Sequence, residues 1–389
     1  MIQGKGAKGS EHWNSRFSIA DCGIENPQSA IRNPQWDACP TPSIPVPNRI
    51  LVVRLDRVGD VILSTPVPDA LRQSYPQVFI AMLVRPACQE VVQGHPSVDS
   101  VIVYDKEQAH KSVPNTIRFA LQLRALRFDT AIVLHPSHRS HWIPWLAQIP
   151  VRIGYARKGG WLLTHRMPHR KQEGRMHETL YTLELLKPLG ISTTALRPRI
   201  AILPQAESRI VSILREASVD STDRLVAIHP SASCVSKRWM PERFAQVADR
   251  LIIEEKVRIC LVAGSEDARY AHAVAARMRF SVLNFAGRLR MSELAALLKR
   301  CRLLISNDSG PVHVAAAVGI PVVDIFGRNQ SGLSPTRWGP WGEGHVILHK
   351  EVGCVRCLAH ACDIGFLCLT SLSVDEVYQA ARSVLHREH

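Results

Sequence analysis

The segment LLISNDSGPVHVAAAVGIPVVDIFG, Leu303 to Gly327, constrains the fold more than any other part of the chain. Two apolar runs, Leu303 to Ile305 and Val322 to Phe326, are too short for helices and read as strands. The residues between them hold one short helix, so the strands are joined by a crossover and run parallel in a βαβ unit. Pro311 suits the first helical position and Gly319 the residue just past the end. That predicts a helix from Pro311 to about Val318, with Asp308 or Ser309 capping its free amides. The body Val-Ala-Ala-Ala-Val has no solvated side, so the helix is expected to lie buried on a sheet. Only its N-terminus is polar. Free amides and the positive dipole end, beside hydroxyls and the His313 imidazole, make a place for an anion, phosphate foremost, at the carboxyl end of a strand. Capping alone accounts for Asp308 and Ser309 but not for His313.

The same alternation fills the chain from Asn48 onward. RILVVRL, a helix around Val61 to Ser74, VFIAMLV, a strand near VIVYD, a helix from Asn115 to Arg127 and TAIVLH form a first series. LVAIHPS, a helix near Pro241 to Glu254, VRICLVAG, a helix from Asp267, SVLNF and a helix from Ser292 to Arg300 form a second, closed by the βαβ unit above. The fold class expected is α/β: two Rossmann-like lobes, 48–205 and 206–389, with doubly wound parallel sheets whose carboxyl ends face a central cleft. LRPRIAILPQAESRIVSILREASVDS between them reads as a strand, a linker and an amphipathic helix. Residues 1–47 mix Gly, Ser, Asn and Pro without periodicity and read as a disordered extension.

Lys and Arg number 48 against 34 Asp and Glu, a net charge of +14, which implies an acidic partner. Part of the excess is local: Arg152, Arg157, Lys158, Arg166, Arg170, Lys171 and Arg175 face only Glu173, and composition favours a solvated basic loop there. No apolar run is long enough to span a membrane, and MIQGKGAKGSEHWN lacks a hydrophobic signal core, so a cytoplasmic protein is expected. Six cysteines from Cys22 to Cys301 sit mostly in apolar surroundings and read as reduced, buried thiols. Cys354, Cys357, Cys362 and Cys368 could hold a structural zinc; their irregular spacing favours reduced or disulfide-paired thiols instead, and no cofactor is expected. Trp142, Trp145 and Trp161 are expected to be packing residues before interfacial ones.

Absences narrow the chemistry. There is no GxGxxG after either first strand, no GxxxxGK[ST], no HExxH and no Asp-any-Asp pair, which disfavours dinucleotide redox chemistry, P-loop hydrolysis and a metal-held diphosphate. Three stretches remain: RLDRVGDVILSTPVPDALRQSYP, HPSASCVSKRWMPERFAQVADRL and SNDSGPVHVAAAVGIPVVDIFG. On these, in this order and spacing, the chain from Arg49 to its final helix resembles the heptosyltransferase family of lipopolysaccharide core synthesis, glycosyltransferase family 9. The resemblance implies a GT-B fold and an inverting, metal-independent transfer of heptose from ADP-heptose to a phosphorylated lipopolysaccharide core acceptor at the cytoplasmic membrane face.

The resemblance also implies roles. Asp60 matches the family's general base, a function typically worth ~10²–10⁴ in rate, while Asp56 in the same loop is a competitor where the family usually has a small polar residue. Lys237, with Arg238 beside it, matches the phosphate-binding lysine. Glu266 matches the carboxylate for the ribose, with Asp267 as its rival, and Asp308 the aspartate at the sugar-phosphate end. One charge-assisted hydrogen bond gives about 1.5–3 kcal/mol and enzymes need roughly 8 or more, so Lys237, the amides near Ser309 and Gly310, and His313 must act together. In GT-B proteins the final helix commonly returns to the first lobe. On the acceptor side, Ser137, His138 and Arg139 follow a first-lobe strand and are expected to face the cleft, with the basic segment meeting acceptor phosphates or the membrane. The rivals are another nucleotide sugar or a protein acceptor, and a non-catalytic basic protein binding anionic lipid or nucleic acid; nucleic acid is not expected.

Overall fold

A computed structural model describes residues 44–387 apart from 329, 355, 356 and 358; residues 1–43, most of the expected disordered extension, lie outside the described residues. Twelve strands are found among these: β1 Arg49–Val53, β2 Phe79–Val84, β3 Ser100–Val103, β4 Thr130–Val133, β5 Val151–Tyr155, β6 His165–Met167, β7 Leu225–His229, β8 Arg258–Leu261, β9 Leu283–Asn284, β10 Cys301–Asn307, β11 Val322–Ile325 and β12 Val346–Leu348. They form two six-stranded sheets, ordered β3-β2-β1-β4-β5-β6 and β12-β11-β10-β7-β8-β9. Every strand pairing is parallel. Read from opposite ends the two orders are the same, so each sheet reverses direction at one point: between β1 and β4 in the first, between β7 and β10 in the second. Loops after those four strands open a crevice where such sheets bind ligands.

The central strands are apolar because both faces are covered. Ile50 to Val53 and Leu225 to Ile228 are buried, as parallel strands under crossover helices must be. One apolar cluster joins alternate residues of both sheets, such as Ile50, Val52, Leu225 and Leu304, with Val61, Val67, Leu297, Val312 and Ala315 from the helices between the lobes. Two further clusters cover the outer faces. The first holds Phe119, Leu123, Ile143 and Ala147 against Leu51, Val53, Ala131 and Val133; the second holds Phe244, Val247, Val377, Tyr378 and Ala381 against Val226, Ile228, Leu303 and Ile305.

Four expectations need correction. The helix expected around Val61 to Ser74 is two, Val58–Ile62 and Pro66–Ser74, because Pro66 has no amide to continue a helix and opens a new one. The segment near Arg199 forms no strand; two of its amides go to side chains of both lobes, Arg199 to Thr65 Oγ1 at 2.9 Å and Leu203 to Ser292 Oγ at 3.3 Å. The basic segment is not a solvated loop, since it contributes β5 and β6 and buries Lys171. The final helix, Val374–Leu385, stays on the second lobe, with Val377, Tyr378, Ala381 and Val384 in that lobe's outer cluster and Tyr378 donating to Glu254 at 2.7 Å.

Candidate active site

Helix Val58–Ile62 follows β1 and helix Gly310–Val318 follows β10, and the two meet between the lobes. Gly59 makes the contact possible: a Cβ there would lie 2.7 Å from His313 Cδ2 and 3.5 Å from Gly310 Cα. Asp60 is the residue that follows this contact. Its carboxylate accepts from the Arg54 guanidinium at 3.0 Å and from the Arg57 amide at 3.3 Å, so it also serves the local capping role.

Beneath Asp60 lies a buried charge cluster that no sequence motif announced. Arg54 is 1% exposed, and its guanidinium contacts Asp56 at 3.0 Å, Asp60 at 3.0 Å and Glu178 at 3.1 Å while donating to the Leu134 carbonyl. Glu178, from helix Glu178–Glu184, also accepts from Lys171 at 2.5 Å and from Arg337 of the second lobe at 2.8 and 2.9 Å. Burial would raise the Glu178 carboxyl, but Lys171, Arg54 and Arg337 together hold it far below the usual carboxylate range. Burial lowers Lys171 to about 8 despite Glu178.

Asp56 is the exception in this cluster. Its Oδ2 lies 3.0 Å from Arg54 Nε and 3.1 Å from His135 Nδ1, yet neither nitrogen aims a hydrogen at it. Burial without an aligned donor raises Asp56 to about 6, against the opposing pull of Arg54. His135, just after β4, is lowered to about 3 by burial and by the Arg54 and Lys171 charges, so it is a neutral imidazole. The sequence reading passed over His135 in favour of its neighbours. Of those, Ser137 caps helix His138–Leu146 by accepting from the Ser140 amide at 3.2 Å, and His138 is exposed. Arg139 donates to the Lys106, His110 and Lys111 carbonyls and so pins the loop after β3.

The second lobe supplies the anion side. Neither Asp308 nor Ser309 caps helix Gly310–Val318 with its side chain, contrary to expectation. Asp308 forms an ion pair with Lys237, and Ser309 Oγ lies 3.0 Å from His229 Nδ1. The first-turn amides of that helix therefore carry no side-chain cap. His229 is the hub of a hydroxyl network reaching Ser306 at 3.2 Å and Ser231 at 3.0 Å, and Ser231 Oγ donates to Asp267 at 3.3 Å. Burial lowers His229 to about 4 and His313 to about 3, the latter helped by His177 and Lys237, so both rings are neutral. His313 Nδ1 has no partner among the described residues. Arg238 donates to the Ala232 carbonyl at 2.7 Å and stacks over Tyr270, while Glu266 is exposed in the turn Ser265–Asp267. Asp324, a further residue the sequence did not flag, is fully buried with both carboxyl oxygens unpartnered; burial, then Asp308, push its carboxyl well above the usual range.

Lys237 is held from behind. It ends the turn Val235–Lys237, where Gly327 leaves no room for a Cβ against the Ser236 carbonyl and the Ser236 amide donates to Ala359 at 3.1 Å. Cys354, Cys357, Cys362 and Cys368 line a cavity of about 350 Å³ on the far side of that turn, as free thiols. Burial and the three neighbouring thiols raise Cys368. Among the described residues no three His, Cys, Asp or Glu side chains are disposed to hold a metal ion.

Two parallel α/β lobes with the switch-point loops of both at one seam define the GT-B fold. Residues 116–366 match the family described as glycosyltransferase family 9 (heptosyltransferase), and the chain belongs to that family. It is 26% identical over 298 residues to lipopolysaccharide heptosyltransferase 2 of Escherichia coli K12, across 74% of this chain and 85% of that protein. A family 9 glycosyl transferase from Veillonella parvula is 27% identical with a TM-score of 0.79, covering 87% of this chain and 97% of that one. The structure of E. coli ADP-heptose heptosyltransferase II superposes with a TM-score of 0.74 over 87% and 98% of the two chains at 22% identity, a likeness of fold.

Proposed function

We propose that this glycosyltransferase moves heptose from ADP-heptose to a lipopolysaccharide core acceptor by a single, inverting displacement at the cytoplasmic face of the membrane. The observation that carries the reading is the Gly59 contact, which brings the residue before Asp60 against the first turn of a helix that no side chain caps, with Lys237 paired to the neighbouring Asp308. On this reading Asp60 accepts the proton of the attacking sugar hydroxyl, and Arg54 fixes the carboxylate's direction. The departing diphosphate draws Lys237 away from Asp308 and meets the first-turn amides and the neutral His313 ring, so charge that develops on the leaving group is met by donors already in place. Lys237 is the cation already standing at Asp308, which supports a displacement that uses protein donors rather than a divalent ion. The relatives' names support the donor and acceptor. No helix among the described residues is long and apolar enough to cross a membrane, so contact with the bilayer would be peripheral.

The test is ADP release on mixing the protein with ADP-heptose and core lipid. Asp60→Asn is expected to keep ADP binding and lose ~10²–10⁴ in turnover. Near-normal transfer by that variant would remove Asp60 as the base, and no ADP release with any core lipid would remove the acceptor assignment.

A further inference from the structure

The outer face of the first lobe carries apolar side chains that folding does not use. Helix Val113–Arg124 buries Thr116, Phe119, Ala120 and Leu123. Yet Val113, Ile117 and Leu121, four residues apart and so on one line of the helix, are 56%, 40% and 55% exposed. This helix packs on helix His138–Leu146, where Trp142 and Trp145 are exposed against the expectation of burial, and the adjoining turn Gly160–Leu162 exposes Trp161 at 69%. The surrounding sequence is cationic to an unusual degree: from Ala109 to Arg170 there are ten Lys and Arg and one acidic residue. That residue, Asp129, is taken up by the amides of Asn48 and Arg49.

We infer that this face seats the protein on an anionic lipid bilayer. Aliphatic side chains, tryptophans and arginines on one surface match the three layers of a membrane interface: acyl boundary, headgroup level and phosphate plane. Two copies meeting here would bring like charge together, and a nucleic acid would leave the aliphatic stripe without a partner. Helix His138–Leu146 begins right after β4, so the element carrying Trp142 and Trp145 also forms the rim of the site. A lipid-borne acceptor then reaches the cleft without leaving the bilayer. This deepens the reading above, of an enzyme with a membrane-bound acceptor, but is tested without donor sugar or acceptor.

The experiment is co-sedimentation of the full chain with vesicles of phosphatidylcholine alone or mixed with phosphatidylglycerol. Binding is expected to the mixed vesicles and to weaken with salt. Arg118→Gln with Arg124→Gln is expected to lower affinity roughly 25-fold, at about 5-fold per charge. Ile117→Ser with Leu121→Ser is expected to lower it at least about 10-fold. Unchanged thermal unfolding and ADP binding show that these variants fold. Equal binding to neutral vesicles, no binding at all, full affinity in both variants, or a wild-type dimer that the apolar variant dissociates each overturn the inference. Vesicle binding with no ADP release would leave it standing while the transfer reading fell.

Discussion

Replacing Gly59 with Ala tests the contact on which the site depends. The new methyl carbon would sit 2.7 Å from His313 Cδ2, about 0.8 Å inside an ordinary carbon–carbon contact of roughly 3.5 Å. Gly59 has no positive φ and lies in a helix, where alanine is intrinsically favoured by about 1 kcal/mol, so the local backbone offers no objection. The strain must be relieved by turning the buried His313 ring or by moving the two helices apart. Either displaces Asp60 or His313 by a good part of an ångström, and misplacement on that scale costs up to ~10²-fold when reacting groups must be aligned. Gly59→Ala is therefore expected to lower kcat/KM for ADP release by roughly 10- to 100-fold while thermal unfolding stays within a few degrees of wild type. Gly59→Val, with more atoms at the same point, is expected to do worse. Full activity in both variants would show that the lobes do not need this approach and would refute the reasoning.

Two further outcomes follow from the charge cluster. Burial lifts Asp56 to about 6, so the folded state holds its proton more tightly than the unfolded chain; the stability tied to that proton is present below about 3.9 and lost as pH rises through about 6. Asp56→Asn is expected to remove that decline in urea unfolding, together with any limb of the kcat/KM profile near pH 6, and a limb that persists would assign it elsewhere. Glu178→Gln leaves Lys171, Arg54 and Arg337 facing one another and is expected to cost about 3–5 kcal/mol in urea unfolding. Because the Glu178 carboxyl is depressed, its contribution is present above about 4.3 and lost as pH falls below that, so the variant's acid limb should be flatter than wild type's; parallel limbs would refute the assignment.

Much of the fold was legible because doubly covered strands are long apolar runs: RILVV, FIAMLV and LVAIH could hardly be anything else. The missed strands are edge or near-edge ones. β6 is His-Arg-Met and β12 is three residues long, too short to show a period, and β5 carries Arg152 and Gly154. The strand expected near Arg199 lies between Pro198 and Pro204 and never meets a ladder. In the candidate site, Asp60, Lys237, Asp308 and His313 stand in local motifs, so the sequence could nominate them. Arg54, Glu178 and Arg337 were not, because their meaning lies in contacts 124 and 159 residues apart along the chain. His135 ends the run TAIVLH, and the approach of Asp56 is what distinguishes it from His138.

The Arg337–Glu178 pair also bears on exchanging lobes between family members to change donor or acceptor choice. Arg337 reaches across the seam to Glu178 and to the Lys171 carbonyl, and Gly174 and Gly332 pass so closely that neither has room for a side chain. A chimera joined near residue 200 would separate these partners though both halves kept every motif residue. Segments 171–178 and 332–337 must therefore be inherited together, and a hybrid that takes them from different parents would be expected to assemble its lobes poorly.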